Sequence, residues 1–94
     1  MPVSQNDTVP LRSQQDVVMA RQLVRKLTQD LKYGLVDQTK FVTAASELAR
    51  NAVIHGGGGE MCWEIVEVGG RTGLKLSFQD SGKGIPNVEL ETII

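Results

Sequence analysis

The sequence predicts an α+β fold of two layers, with two helices on one face of a mainly antiparallel sheet. Two changes of rhythm carry this expectation. Over residues 17–31 and again over 41–53, apolar residues recur at intervals of three and four, the period of an amphipathic helix. Over residues 61–65 and 74–78 the apolar residues alternate with polar ones, the period of a strand. The order is then edge strand, helix, helix, strand, strand, loop, which suits helices covering one side of a sheet.

Each element has its own local signal. Residues 1–7 read as a flexible tip, and residues 8–94 as a single, partial domain. Residues 8–12 are short and extended, and Pro10 confines them to a sheet edge because it cannot donate to a ladder. Ser13 and Asp16 have the form of a capping box. Val17, Ala20, Val24, Leu27 and Leu31 then lie along one stripe, and the helix runs to about Lys32. Gly34 is expected to end it in the left-handed conformation.

The second helix is expected over residues 37–55. Phe41, Ala45, Leu48 and Ala52 share a face that Val42, Ala49 and Val53 widen, and Gly56 ends it. The four glycines 56–59 read as a mobile connector. Met61, Trp63 and Ile65 mark a strand, residues 69–73 a turn, and Leu74, Leu76 and Phe78 a returning strand. Residues 80–86 read as a glycine-rich loop, and residues 87–94 as the start of a further helix.

Composition narrows the function classes. With 94 residues and 40% hydrophobic content, the chain holds at most one domain with a modest core. A net charge of −1 gives no bulk attraction to nucleic acid or to an anionic membrane. Aromatic residues are too few for a base-stacking surface. No stretch approaches the ~20 apolar residues of a membrane span. The single cysteine, Cys62, has no internal partner and reads as an ordinary strand residue, in keeping with a reducing cytoplasm.

Chemistry concentrates in two places. Glu47 and Asn51 lie four residues apart, one turn along the same side of the second helix. A carboxylate there could act as a general base. A carboxamide oxygen is a neutral hard ligand suited to Mg²⁺. Spacing alone favours an ordinary polar pair on a solvated helix face, because such pairs are common. His55 follows one turn later, at the helix end, where the dipole favours a cation. Arg50 has the reach to meet a phosphate, and also the character of a plain surface residue.

The second place is Asp80-Ser81-Gly82-Lys83-Gly84-Ile85-Pro86. An aspartate at a strand end can accept from an exocyclic amine such as adenine N6. The glycines let backbone approach a flat ring, and Ile85 with Pro86 offers an apolar wall. The same residues also make a simple turn. The pattern is neither a P-loop nor a Rossmann turn.

Together the two stretches carry a resemblance. Ser46-Glu47-Leu48-Ala49-Arg50-Asn51-Ala52-Val53-Ile54-His55-Gly56, two strands, then the Asp80 turn, resembles the GHKL ATPase/kinase superfamily, the first stretch its N box and the second its G1 box. Within it the chain is most similar to the anti-sigma factor kinases of the RsbT type, with the RsbW type a close relative. Ala20-Arg21-Gln22-Leu23 also looks like that group's first helix.

The resemblance implies a Bergerat-type sandwich holding ATP and Mg²⁺. It implies Glu47 as catalytic base, Asn51 as the Mg²⁺-holding residue and Asp80 as adenine reader, with Gly82 and Gly84 shaping the adenine end. Arg50, His55 and Ile85 complete the candidate nucleotide site. The implied activity is serine/threonine phosphorylation of a STAS-domain antagonist or scaffold in a stress-response switch, with a PP2C-type phosphatase or a sigma factor downstream. The alternative is a binding module that holds a sigma factor or STAS protein under nucleotide control. The family continues beyond the G1 box with a lid and a second glycine box, so this stretch alone is expected to bind ATP weakly or not at all and to be inactive, with kinase activity expected of the full-length protein. An exposed sheet edge makes a homodimer a further expectation.

Overall fold

The computed structural model describes the backbone of residues 3–55, 57–80 and 88–93, and the side chains of residues 5–55 and 57–79. Four strands and two helices follow one another as β1 (Val3–Leu11), α1 (Gln14–Asp30), α2 (Leu35–Ile54), β2 (Gly59–Val68), β3 (Arg71–Asp80) and β4 (Val88–Ile93). The sheet order is β1-β2-β3-β4, antiparallel throughout. Both helices pack on one face of it, α1 against β1 and α2 against β2 and β3. This is the two-layer α+β arrangement that the two rhythms predict.

α1 begins where the capping signal stands. Ser13 is the N-cap, and its Oγ accepts from the Asp16 N–H at 3.2 Å. Asp16 answers by accepting from the Arg12 N–H at 2.8 Å, one residue earlier than a standard capping box would use. Val17, Ala20, Val24 and Leu27 are buried, as the stripe requires. The Val17, Val24 and Leu27 side chains each contribute about 1.5–3 kcal/mol on burial. Thr28 is also fully buried, and its hydroxyl bonds back to the Val24 carbonyl at 2.9 Å.

The end of α1 corrects one expectation. The left-handed residue is Lys32, at φ 62°, and not Gly34. The Lys32 N–H donates to the Gln29 carbonyl and the Tyr33 N–H to the Thr28 carbonyl, both at 2.9 Å. That pair of bonds is a Schellman motif, which requires its left-handed residue at Lys32. Gly34 instead takes φ −62° as the N-cap of α2.

Tyr33 seals this corner to the sheet. It is buried, its ring meets Phe41 edge to face at 5.9 Å, and its hydroxyl accepts from the Leu74 N–H at 3.0 Å. Burial, the largest effect, raises its pKa, and the charge of Asp37 adds to this, while the Leu74 bond acts the other way.

On α2, Phe41, Val42, Ala45, Ala49 and Ala52 are buried, and Leu48 and Val53 are partly so. The Gly58 N–H turns back to the Ala52 carbonyl at 2.8 Å, so one of the helix's last carbonyls is satisfied. Glycine fits there because Gly57 and Gly58 have φ of 73° and 102°. The expected mobile connector is therefore a cap: Gly58 is buried and Gly59 already belongs to β2. Gly56 lies outside the described residues.

The β2–β3 hairpin turns in two residues, Gly69 and Gly70, both at positive φ. That is the sign of a type I′ turn, whose twist matches the flanking strands. The expected five-residue turn is thus shorter, and residues 71–73 join β3. Met61 lies opposite Phe78, Trp63 opposite Leu76 and Ile65 opposite Leu74, all on the helix-facing side. On the other face Thr8, Cys62 and Ser77 share a row, and Thr8 Oγ1 lies 3.1 Å from Cys62 Sγ.

Two further corrections concern strands. β1 begins at Val3, not at residue 8, because β2 supplies backbone partners as far as Val66. The flexible tip expected over 1–7 is thereby mostly strand, and β1 is the edge strand that Pro10 called for. Residues 88–93 form β4 and not a helix. Val88 and Leu90 alternate with Glu89 and Glu91, a period of two, and β3 has an open edge to pair with.

Replacing Lys32 by glycine relieves the left-handed strain and should stabilise the fold by about 0.5–1 kcal/mol, read as a higher urea midpoint at unchanged slope. Tyr33→Phe removes the acceptor for the Leu74 N–H and should cost about 1–3 kcal/mol. Native Tyr33 keeps its proton where the unfolded phenol, with its ordinary value of 10.0, has lost it. Its contribution is therefore complete below that value and declines as pH rises toward the native one. Urea midpoints at pH 8 and 11 should fall more in the parent chain than in Tyr33→Phe.

Candidate functional site

The candidate site gathers at the end of the sheet where α2 finishes. Ser46 marks the side of α2 that meets α1, since its Oγ accepts from Arg21 Nε at 3.1 Å. A helix turns about 100° per residue, so Glu47 looks almost directly away from the buried face. Asn51 and His55 follow at steps of four, each about 40° further round. The line Glu47, Asn51, His55 therefore winds from open solvent toward the flank of α2 that faces away from α1, on the β3 side.

All three are exposed, as is Arg50. Among the described residues, the Glu47 and Asn51 side chains make no hydrogen bond, so both are available to a ligand. His55 is the C-cap of α2, its N–H donating to the Asn51 carbonyl at 2.8 Å. This is the helix-end position expected for it. Arg50 stands about 100° from Asn51, nearer the α1 side.

Asp80 reaches this end through the sheet. It is the last residue of β3 and pairs with Gly59. Gly59 follows Gly58, which is bonded to the Ala52 carbonyl, one residue beyond Asn51. The end of β3 is thus held beside the last turns of α2 by one hydrogen bond and one strand register. The fold brings together the backbone at Asp80 and the helix turns bearing Asn51 and His55. Glu47 sits one turn further from the sheet end. Gly82, Gly84 and Ile85 lie outside the described residues.

The donor set suits Mg²⁺ in one particular way. Among the described residues no group of three His, Cys, Asp or Glu side chains could cage a metal. Exposed Asn51 and Glu47 instead offer one or two hard oxygens. That is the provision Mg²⁺ uses when most of its ligands are phosphate oxygens and water.

Tyr33 and the Arg21–Ser46 bond escape the sequence reading of the site. A tyrosine two residues past a helix end gives a weak signal, and a bond between residues 25 apart gives none.

No protein-family model matches the chain. Among curated proteins, the serine/threonine-protein kinase RsbT of Bacillus subtilis (strain 168) is 42% identical over 80 residues. The match takes in 85% of this chain and 60% of that relative's length. This similarity supports a relationship to a serine/threonine-kinase family.

Proposed function

We propose that this chain carries the nucleotide-site residues of a Bergerat-type, ATP-dependent serine/threonine protein kinase of the RsbT-like switch class. The observation that carries the reading is the exposed run of α2 from Glu47 to Asn51, whose Asn51 end adjoins the Asp80 end of β3, in a chain 42% identical to RsbT over 80 residues. The substrate is a hydroxyl on a STAS-domain antagonist, and the output is control of a sigma-factor pathway.

The residues divide the work. Glu47 takes the proton from the attacking hydroxyl. Asn51 Oδ1 would hold Mg²⁺, whose charge would offset that of the phosphates. Asp80, by its position in the motif, accepts from the adenine amine, while Gly82, Gly84 and Ile85 shape the adenine end. Arg50 adds positive charge near the phosphates, and His55 offers a ring N–H to them. ATP, when bound, supplies the transferable phosphoryl group. Such transfer needs mainly positioning and charge neutralisation, which this small set of residues offers.

Transfer of labelled phosphate from Mg-ATP to a STAS-domain protein tests the reading. Glu47→Ala should lower kcat by roughly 10²–10⁴-fold while nucleotide affinity stays within a few-fold. Asp80→Asn should weaken ATP binding by roughly ten-fold or more through loss of a charge-assisted hydrogen bond. Phosphorylation at the parent rate by Glu47→Ala would remove the role assigned to it. Tight partner binding with no transfer by the parent chain would favour a nucleotide-regulated binding module instead.

A further inference from the structure

We infer that Arg21 and Ser46 form a positioning pair that sets where α2 presents Glu47 and Asn51; the inference rests on the kinase reading above. Arg21 Nε donates to Ser46 Oγ at 3.1 Å, and that hydroxyl donates its own proton to the Val42 carbonyl at 2.8 Å. A serine hydroxyl has one proton to give and lone pairs to receive with. With the proton committed to Val42, the hydroxyl is held in one rotamer. It then accepts from Arg21 in one direction.

The buried residues of the two helices, Val17, Ala20, Val24 and Leu27 with Phe41, Val42, Ala45 and Ala49, set which face of α2 is turned inward. Arg21–Ser46 adds a directional contact at the edge of that packing. Among the described residues, Arg21–Ser46 is the side-chain hydrogen bond that runs from one helix to the other. A lone polar contact in an apolar interface is a known means of specifying register at some expense of stability. Without this bond α2 could settle differently within its packing, and a shift well short of the ~1.5 Å rise of one residue matters to groups that must be positioned for reaction. Glu47 adjoins Ser46, and Asn51 lies little more than a turn beyond, so both would be carried with it.

An arginine is also more than packing needs. One of its five N–H groups goes to Ser46, and the half-buried site would gain more from a leucine if cohesion were its purpose.

The test uses the full chain with Ser46→Ala, Arg21→Gln, the double variant and Ser46→Thr. Each single change should lower kcat for phosphotransfer by roughly ten- to a hundred-fold, with KM for ATP changed by less than about three-fold. The double variant should be no worse than either single, because both remove one bond. Ser46→Thr keeps the hydroxyl and should keep the rate. Additive losses, or losses that follow the unfolded fraction in urea melts, would overturn the inference. So would a raised KM for the protein substrate at unchanged kcat, since Arg21 would then be meeting the partner.

Amide NMR of the same variants reads position without catalysis. Matching shifts at Glu47 and Asn51 in both singles and the double support the pair, and shifts confined to the immediate neighbours of each substitution overturn it. A parent chain without transfer would sink the kinase reading alone, and the NMR comparison would still decide the positioning.

Discussion

Met61 on β2 and Leu74, Leu76 and Phe78 on β3 line one face of the sheet, and water excluded from that face is what holds α1 and α2 down. The opposite face is mixed and polar, with Thr8, Cys62 and Ser77 in one row. Two helices must therefore share one side. Once α1 lies along β1 and α2 over β2 and β3, the outer side of α2 has no further protein layer among the described residues. The candidate polar groups stand on that open side because the apolar groups have claimed the other.

Small residues make this economical. Ala45 and Ala49 are fully buried on α2, as Ala20 is on α1. They let the helix backbone lie close to its neighbours at near-crystalline density. Just past the end of α2 the Gly58 N–H returns to the Ala52 carbonyl, and β2 starts at the next residue. The register of β2 against β3 then decides that Asp80 ends its strand beside the final turns of α2. A site assembled from residues far apart in sequence is thus specified by alanines and glycines that touch no ligand.

The elements that the sequence made legible were those with a strong period. The stripes of both helices and the alternation of β2 and β3 report burial on one side, which is a local signature of a global fact. The misplacements fall where a partner, and not a pattern, decides. Lys32 is left-handed because two carbonyls of α1 need donors, although a glycine stands two residues later. β1 extends to Val3 because β2 is there to receive it, and residues 88–93 pair because β3 has a free edge. In the candidate site, the side of α2 that carries Glu47 and Asn51 was readable from spacing. Its direction relative to α1 was not, since that is set by contacts between residues far apart in sequence, such as the one between Arg21 and Ser46.

The pairing of Leu11 with Gly59 has a temporal consequence. It closes a loop that contains both helices, whereas the Gly69–Gly70 hairpin and the α1–α2 corner join near neighbours in sequence. Short-range closures are quick and long-range ones slower, because chain entropy must be lost before contacts repay it. Two local units, a helical hairpin and a β-hairpin, can therefore assemble first, with β1 zipping on as the last seam. An edge strand that arrives last is also the one whose release costs least, so brief openings of the native protein should begin at its N-terminal strand and leave the α2–β3 junction intact.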